Sequence, residues 1–237
     1  MNTHTSIQRL ITITASIAML LAGFLFNPRP TSAQWQLVNT ATGEDIEAIA
    51  SDASGHIYAG ADMGVYVSSN NGENWNLAAT GLTNPEVLSL AVTPAGTVLA
   101  GTEGGGIFRS TNFGNSWDSS STGLPDSSYI ISLTSDGHGN LYAGQSMKGV
   151  FYSSDDGLHW SSRNSGMDSA IIFSLTVTPS GVVYAGGGPY VFSSSDSGQH
   201  WDTSFIAGPP FEEVLALAAD SAGDVFAGTF LGNRFRL

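Results

Sequence analysis

One short phrase occurs four times in this chain and constrains the fold more than anything else in it. The copies run from Ser68 through Asn70 and Gly72 to Trp75, from Ser110 through Asn112 and Gly114 to Trp117, from Ser153 through Asp155 and Gly157 to Trp160, and from Ser194 through Asp196 and Gly198 to Trp201. The shared pattern is Ser-x-Asp/Asn-x-Gly-x-x-Trp, and the tryptophans fall 42, 43 and 41 residues apart. A period of that size marks a repeat architecture, in which each unit buries its apolar face only by stacking on a neighbour.

The phrase has a local physical logic. Ser, Asp and Asn side chains accept nearby backbone N–H groups and hold tight turns. Glycine supplies the positive φ such a turn requires, and the Trp is expected to carry a large apolar body into the core. Asp155-Asp156-Gly157 lacks the spacing of an EF-hand loop, and two of the four copies carry Asn at the key position. The motif therefore reads as structural, with no metal and no cofactor.

Between the copies lie apolar runs of four to seven residues, rich in β-branched and aromatic side chains and punctuated by Gly, Pro, Asn and Asp. These are short strands rather than helices, four to a repeat. Strand a is expected at Ile46–Ser51, Val87–Val92, Ile130–Ser135, Ile172–Val177 and Val214–Ala219. Strand b is expected at 57–60, 98–101, 141–144, 183–186 and 225–228, strand c just before each phrase, and strand d just after each Trp, with Trp35 leading one more. Small residues in strand a (Ala48, Ser89, Ser132, Ser174 and Ala216) suit an innermost strand crowded about an axis. The expected fold is all-β, a β-propeller of four-stranded antiparallel blades over residues 34–237. Five Trp-led d strands match five a–b–c sets, so five blades are expected, closed by the N-terminal strand Gln34–Val38 beside Arg234–Leu237.

The phrase resembles the Asp box, or BNR repeat, of the sialidase-like superfamily of β-propellers. That superfamily includes sialidases, xyloglucanase-like hydrolases, sortilin-like receptors and photosystem II assembly factor-like proteins. Most such propellers have six or seven blades, so five departs from the family pattern, as does Asn233-Arg-Phe-Arg-Leu237, where no fifth Asp box follows. The resemblance implies the fold and leaves the activity to be argued from a site. A sialidase would need three arginines, a Tyr–Glu pair and an acid Asp. Beyond the leader only Arg109, Arg163, Arg234 and Arg236 occur, with no Phe/Tyr-Arg-Ile-Pro motif and no arginine-rich patch of the assembly-factor kind.

The first 33 residues differ from the rest. Arg9 precedes a 17-residue uncharged run, Leu10 to Phe26, and Thr31-Ser32-Ala33 follows. This reads as a secretory signal peptide cleaved after Ala33, placing the protein outside the cell or in the periplasm with no membrane span after cleavage. The absence of Cys means that no disulfide supports the fold there. Residues 34–237 carry 5 Lys+Arg against 20 Asp+Glu, a net charge of −15, which excludes a nucleic-acid surface.

The d–a and b–c connections should share one face, opposite the Asp boxes. Acidic residues there (Glu44, Asp45, Asp62, Glu86, Glu103, Asp126, Asp168, Glu212 and Glu213) form a solvated rim, on loops too short to build a catalytic cleft. Residues that break the repeat consensus or project from these loops are the candidate ligand contacts: Asp62, Glu103, Met147, Lys148, Tyr190, Phe211 and Phe230. Exposed aromatics among polar groups suit sugar stacking or a protein partner. His56, His138, His159 and His200 are dispersed over different repeats and form no metal cluster. The sequence thus reads as a secreted, non-catalytic propeller binding a protein or glycan. A glycoside hydrolase is the alternative reading, and a truncated fragment of a larger propeller a further one.

Overall fold

A computed structural model of the chain describes residues 45–167, 171–205 and 213–236. Five antiparallel sheets succeed one another along it, with no helix among the described residues. The first blade contains β1 (Ile46–Ser51), β2 (Ile57–Ala61), β3 (Gly64–Ser68) and β4 (Asn76–Ala78). The second contains β5 (Val87–Val92), β6 (Val98–Thr102), β7 (Gly106–Ser110) and β8 (Asp118–Ser119). The third contains β9 (Ile130–Ser135), β10 (Leu141–Gln145), β11 (Gly149–Ser153) and β12 (Ser161–Ser162), and the fourth β13 (Ser174–Val177), β14 (Val183–Gly187), β15 (Tyr190–Ser194) and β16 (Asp202–Phe205). The fifth has three described strands, β17 (Val214–Ala219), β18 (Val225–Thr229) and β19 (Arg234–Arg236).

Each blade pairs its strands in chain order, a to d, so the Trp-led strand completes the blade before it. The expected strands a and b are present. The exception is β13, which begins at Ser174, two residues later than the pattern at Ile172 suggests. The other four a strands open with a register shift against strand b. In blade four the Ile171 carbonyl packs against Gly187, where a side chain would lie 2.2 Å from it, and the bulge does not form.

The cores lie between blades. Val87, Leu90 and Val98 of blade two pack with Tyr58 and Val65 of blade one, and Ile130, Leu133 and Leu141 of blade three pack with Leu99 and Ile107 of blade two. The same arrangement joins blades three and four. Adjacent blades approach through glycine: a methyl group on Gly60, Gly101, Gly144 or Gly186 of strand b would fall 2.6–2.9 Å from the side chain of Val87, Ile130, Ile172 or Val214 of the next blade. The small residues of strand a lie at this interface as well. Ser89 Oγ donates to the Ile130 carbonyl (2.8 Å), while Ser132 and Ser174 Oγ accept the Leu175 and Leu217 amides (2.9 Å each). Smallness there serves an inter-blade hydrogen bond as much as space at an axis.

The four Asp boxes are the turns between strands c and d. In each, the Ser Oγ donates to the Asx oxygen and accepts the Gly amide, at 2.9 Å in the first two boxes. The Asx oxygen accepts the amide just before the Trp, 3.0 Å from Asn70 to Asn74. The residue before the Gly is left-handed in every copy, as at Asn71 (φ 58°) and Asp156 (φ 60°). The Trp reaches back to the preceding blade. The indole N–H of Trp117 donates to the Ala78 carbonyl (2.9 Å), that of Trp160 to Ser120 (2.8 Å) and that of Trp201 to Arg163 (2.8 Å). Their backbone amides bond the Thr80, Thr122 and Ser165 carbonyls of the same segments. Trp117, Trp160 and Trp201 are therefore hooks between blades, beyond their expected part in the turn. The leader, 1–33, and the expected closing strand Gln34–Val38 lie outside the described residues.

Candidate functional site

Antiparallel pairing puts the a–b turns and Asp boxes at one end of the blades and the b–c turns and d–a connections at the other. The His residues occupy the Asp-box end. His56, His159 and His200 each pair through Nδ1 with an Asp four residues earlier, at 2.9, 2.6 and 2.7 Å. They buttress turns, and no cluster of metal-binding side chains occurs among the described residues.

The opposite face divides into an acidic and an apolar part. In blades one and two, the carboxyls of Glu86 and Glu103 are neighbours, with Asp62 and Glu47 near enough to act on Glu86. The approach of the Glu103 side chain, slight burial and the charges of Glu103, Asp62 and Glu47 raise the Glu86 carboxyl above its ordinary value. The backbone supports the pair, because the Glu103 amide donates to the Glu86 carbonyl (3.0 Å).

Blades three to five carry the apolar part. Met147 and Lys148 protrude from the third b–c turn, with Met147 at positive φ (65°). At blades four and five a cleft of about 450 Å³ opens between Gly166, Ile171, Phe173, Gly187, Gly188, Pro189, Tyr190, Phe192, Thr203 and Glu213. Its aromatic wall is built by strand pairing. Tyr190 opens β15 opposite Phe205 at the end of β16, and the rings meet edge to face, centroids 5.8 Å apart. Phe192 lies beneath, 6.0 Å from Tyr190. Tyr190 remains 40% exposed and Phe205 64%. Phe230 in the fifth b–c turn is tied beside this cleft, its amide donating to the Glu213 carbonyl (3.0 Å).

Of the residues singled out in the sequence, Tyr190 lines the cleft and Phe230 adjoins it. Met147 and Lys148 belong to the neighbouring blade, and Asp62 and Glu103 to the acidic end. Phe211 lies outside the described residues, as do Glu44, Asp168 and Glu212. Phe173 and Glu213 are lining groups that the candidate set omits, and Phe205, outside the lining, packs against Tyr190. Phe205 had a sequence signal: its repeat equivalents Ala79, Ser121 and Asn164 are small or polar. Glu213 is one of nine acidic residues on these loops, and nothing in the sequence sets it apart from the rest of the rim.

Fold and turns together define a β-propeller whose blades are locked by Asp-box turns. The DUF6242 β-propeller domain family matches residues 91–216, and the chain belongs to that family. No curated protein matches it. Similar solved structures include the extracellular domain of BT4673 from B. thetaiotaomicron (16% identity, TM-score 0.66, 81% of this chain and 27% of that one). YCF48 from Cyanidioschyzon merolae is similar at 16% identity and TM-score 0.63, over 83% of this chain and 67% of that one. The GH74 xyloglucanase from Xanthomonas campestris is similar at 20% identity and TM-score 0.62, over 83% of this chain and 35% of that one. The chain thus spans about a quarter to a third of BT4673 and the xyloglucanase, and these likenesses describe the fold.

Proposed function

We propose that this protein is a non-catalytic binding module that takes an oligosaccharide in the cleft between Tyr190, Thr203 and Glu213, where Phe205 packs against Tyr190. The exposed edge-to-face ring pair carries this reading. Flat apolar faces beside a carboxylate and the Thr203 hydroxyl match a sugar ring, which offers C–H groups to aromatics and hydroxyls to acceptors. The cleft holds one carboxylate among its described lining residues, whereas hydrolysis by the general route needs two at a defined separation. A protein segment is the second reading, because a similar fold is seen as YCF48 bound to D1 peptide. The leader reads as an export signal, so the binding would take place outside the cytoplasm.

A glycan array with the purified protein tests the ligand class. Tyr190→Ala and Phe205→Ala should each weaken a glycan hit about tenfold, or ~1.4 kcal/mol. A peptide hit lost in the same two variants selects the second reading. Turnover of an oligosaccharide, abolished by Glu213→Gln, would replace both with a hydrolase. Intact-mass analysis of exported protein should show a new N-terminus at Gln34.

A further inference from the structure

The two end blades expose the two halves of an interface that the described blades form four times over. Each inner interface has a hole and a knob. The hole is a strand-b glycine: Gly60, Gly101, Gly144, Gly186. The knob is the first apolar residue of the next a strand: Val87, Ile130, Ile172, Val214, all fully buried. Blade five repeats the hole at Gly228, but there an added methyl would meet, among the described residues, only Ala216 of its own blade, at 3.9 Å. Blade one repeats the knob at Ile46, which is 43% exposed.

The surrounding positions tell the same story. Leu90, Leu133 and Leu175 are buried against the preceding blade, while their counterpart Ile49 is 71% exposed. Tyr58, Leu99 and Tyr142 are buried against the following blade, while their counterpart Phe226 is 41% exposed. Register also makes Arg236 the counterpart of Arg109, since they pair with Phe226 and Leu99. Arg109 reaches into the next blade's Asp box, its Nε donating to the Asp156 carbonyl at 2.9 Å. Arg236 instead turns back to Asp224 and lies over Phe226.

We propose that a second copy of this chain fills the interface, blade one of one copy seating Ile46 and Ile49 on Gly228 and Phe226 of the other. The fit follows from the sequence of repeats itself, because each end presents what the other end's inner neighbours bury. Arg236 would then reach the carbonyl of the next copy's Asn71, the position that Asp156 holds in blade three. Such a contact is heterologous: it joins a front to a back and continues from copy to copy.

Sedimentation of the whole protein tests this, with Ile46→Glu blocking the back and Gly228→Val filling the front. Both sites are open among the described residues of one copy, and Gly228 has no positive φ, so urea midpoints should match the wild type. Phe226→Glu is a second front variant should Gly228→Val fold poorly. Wild type should sediment faster as concentration rises, and each variant alone should stay monomeric. An equimolar mixture of a back variant with a front variant should form a dimer and stop there. Wild type that stays monomeric, as ring closure within one chain would make it, overturns the proposal. So does either variant that still associates alone, or a mixture that does not associate.

Discussion

Asp155 and Asp196 do with a charge what Asn70 and Asn112 do without one, so acid should act on the boxes unequally. Burial pushes the Asp155 carboxyl up, but the His159 amide and imidazole and the Ser153 hydroxyl outweigh it and hold it at about 2. The His200 amide and side chain likewise hold Asp196 below the ordinary carboxylate range. A depressed carboxyl contributes stability above its unfolded value and loses it as pH falls through the folded one. Acid unfolding should therefore draw on these two boxes from about pH 4 down to about pH 2. The double variant Asp155→Asn/Asp196→Asn should unfold at lower pH in a circular-dichroism titration, and an unmoved midpoint would clear the boxes of that role. Glu86 has the opposite sign. Its raised carboxyl favours the protonated folded state, an advantage lost as pH rises through the folded value. In carboxyl NMR, Glu103→Gln should bring the Glu86 titration down toward the ordinary value.

At the scale of the element, the hook between blades makes a graded prediction. Trp117→Ala should cost roughly 3–5 kcal/mol, the range for a large buried aromatic. Trp117→Phe keeps a ring but leaves the Ala78 carbonyl without the indole N–H, adding about 1–3 kcal/mol for an orphaned buried acceptor to whatever packing is lost. Urea unfolding separates the two. Gly123 and Gly55 give a sharper pair. Both have φ above 90° or at it, but a methyl group on Gly123 would lie 2.0 Å from the Trp160 carbonyl and one on Gly55 meets nothing. Gly123→Ala should therefore destabilise well beyond the ~1 kcal/mol of strain expected at Gly55. The strands behind these contacts were legible in the sequence because alternation, glycine and Trp recur in phase. The late start of β13 was not, because it depends on the Ile171 carbonyl meeting Gly187 across the sheet. The cleft was half legible. Tyr190 breaks the consensus visibly, whereas its pairing with Phe205 depends on register, and Phe192 and Phe173 are line with ordinary core positions in their repeats.

For the whole molecule, stability should follow the interfaces rather than the blades, as in other repeat proteins. Ser132→Ala removes the acceptor of the Leu175 amide, which lies on the neighbouring blade, so it should cost about 1 kcal/mol. Amide exchange should then quicken in blade four as well as blade three; a change confined to blade three would argue against coupling through this bond. The sequence pattern made five blades legible, but not the hydrogen bonds between their a strands, because a small residue and a hydrogen-bonding one look alike at Ser89, Ser132 and Ser174. The hooks all point one way: Trp117, Trp160 and Trp201 each bond carbonyls of the segment before them. During synthesis, a blade therefore waits for its successor's tryptophan, some 40 residues behind its own d strand. At about 5–20 residues per second that is a delay of roughly 2–8 s. Throughout it the newest blade has its sheet but not its lock, and nascent chains are open to proteases and to wrong neighbours at their growing end.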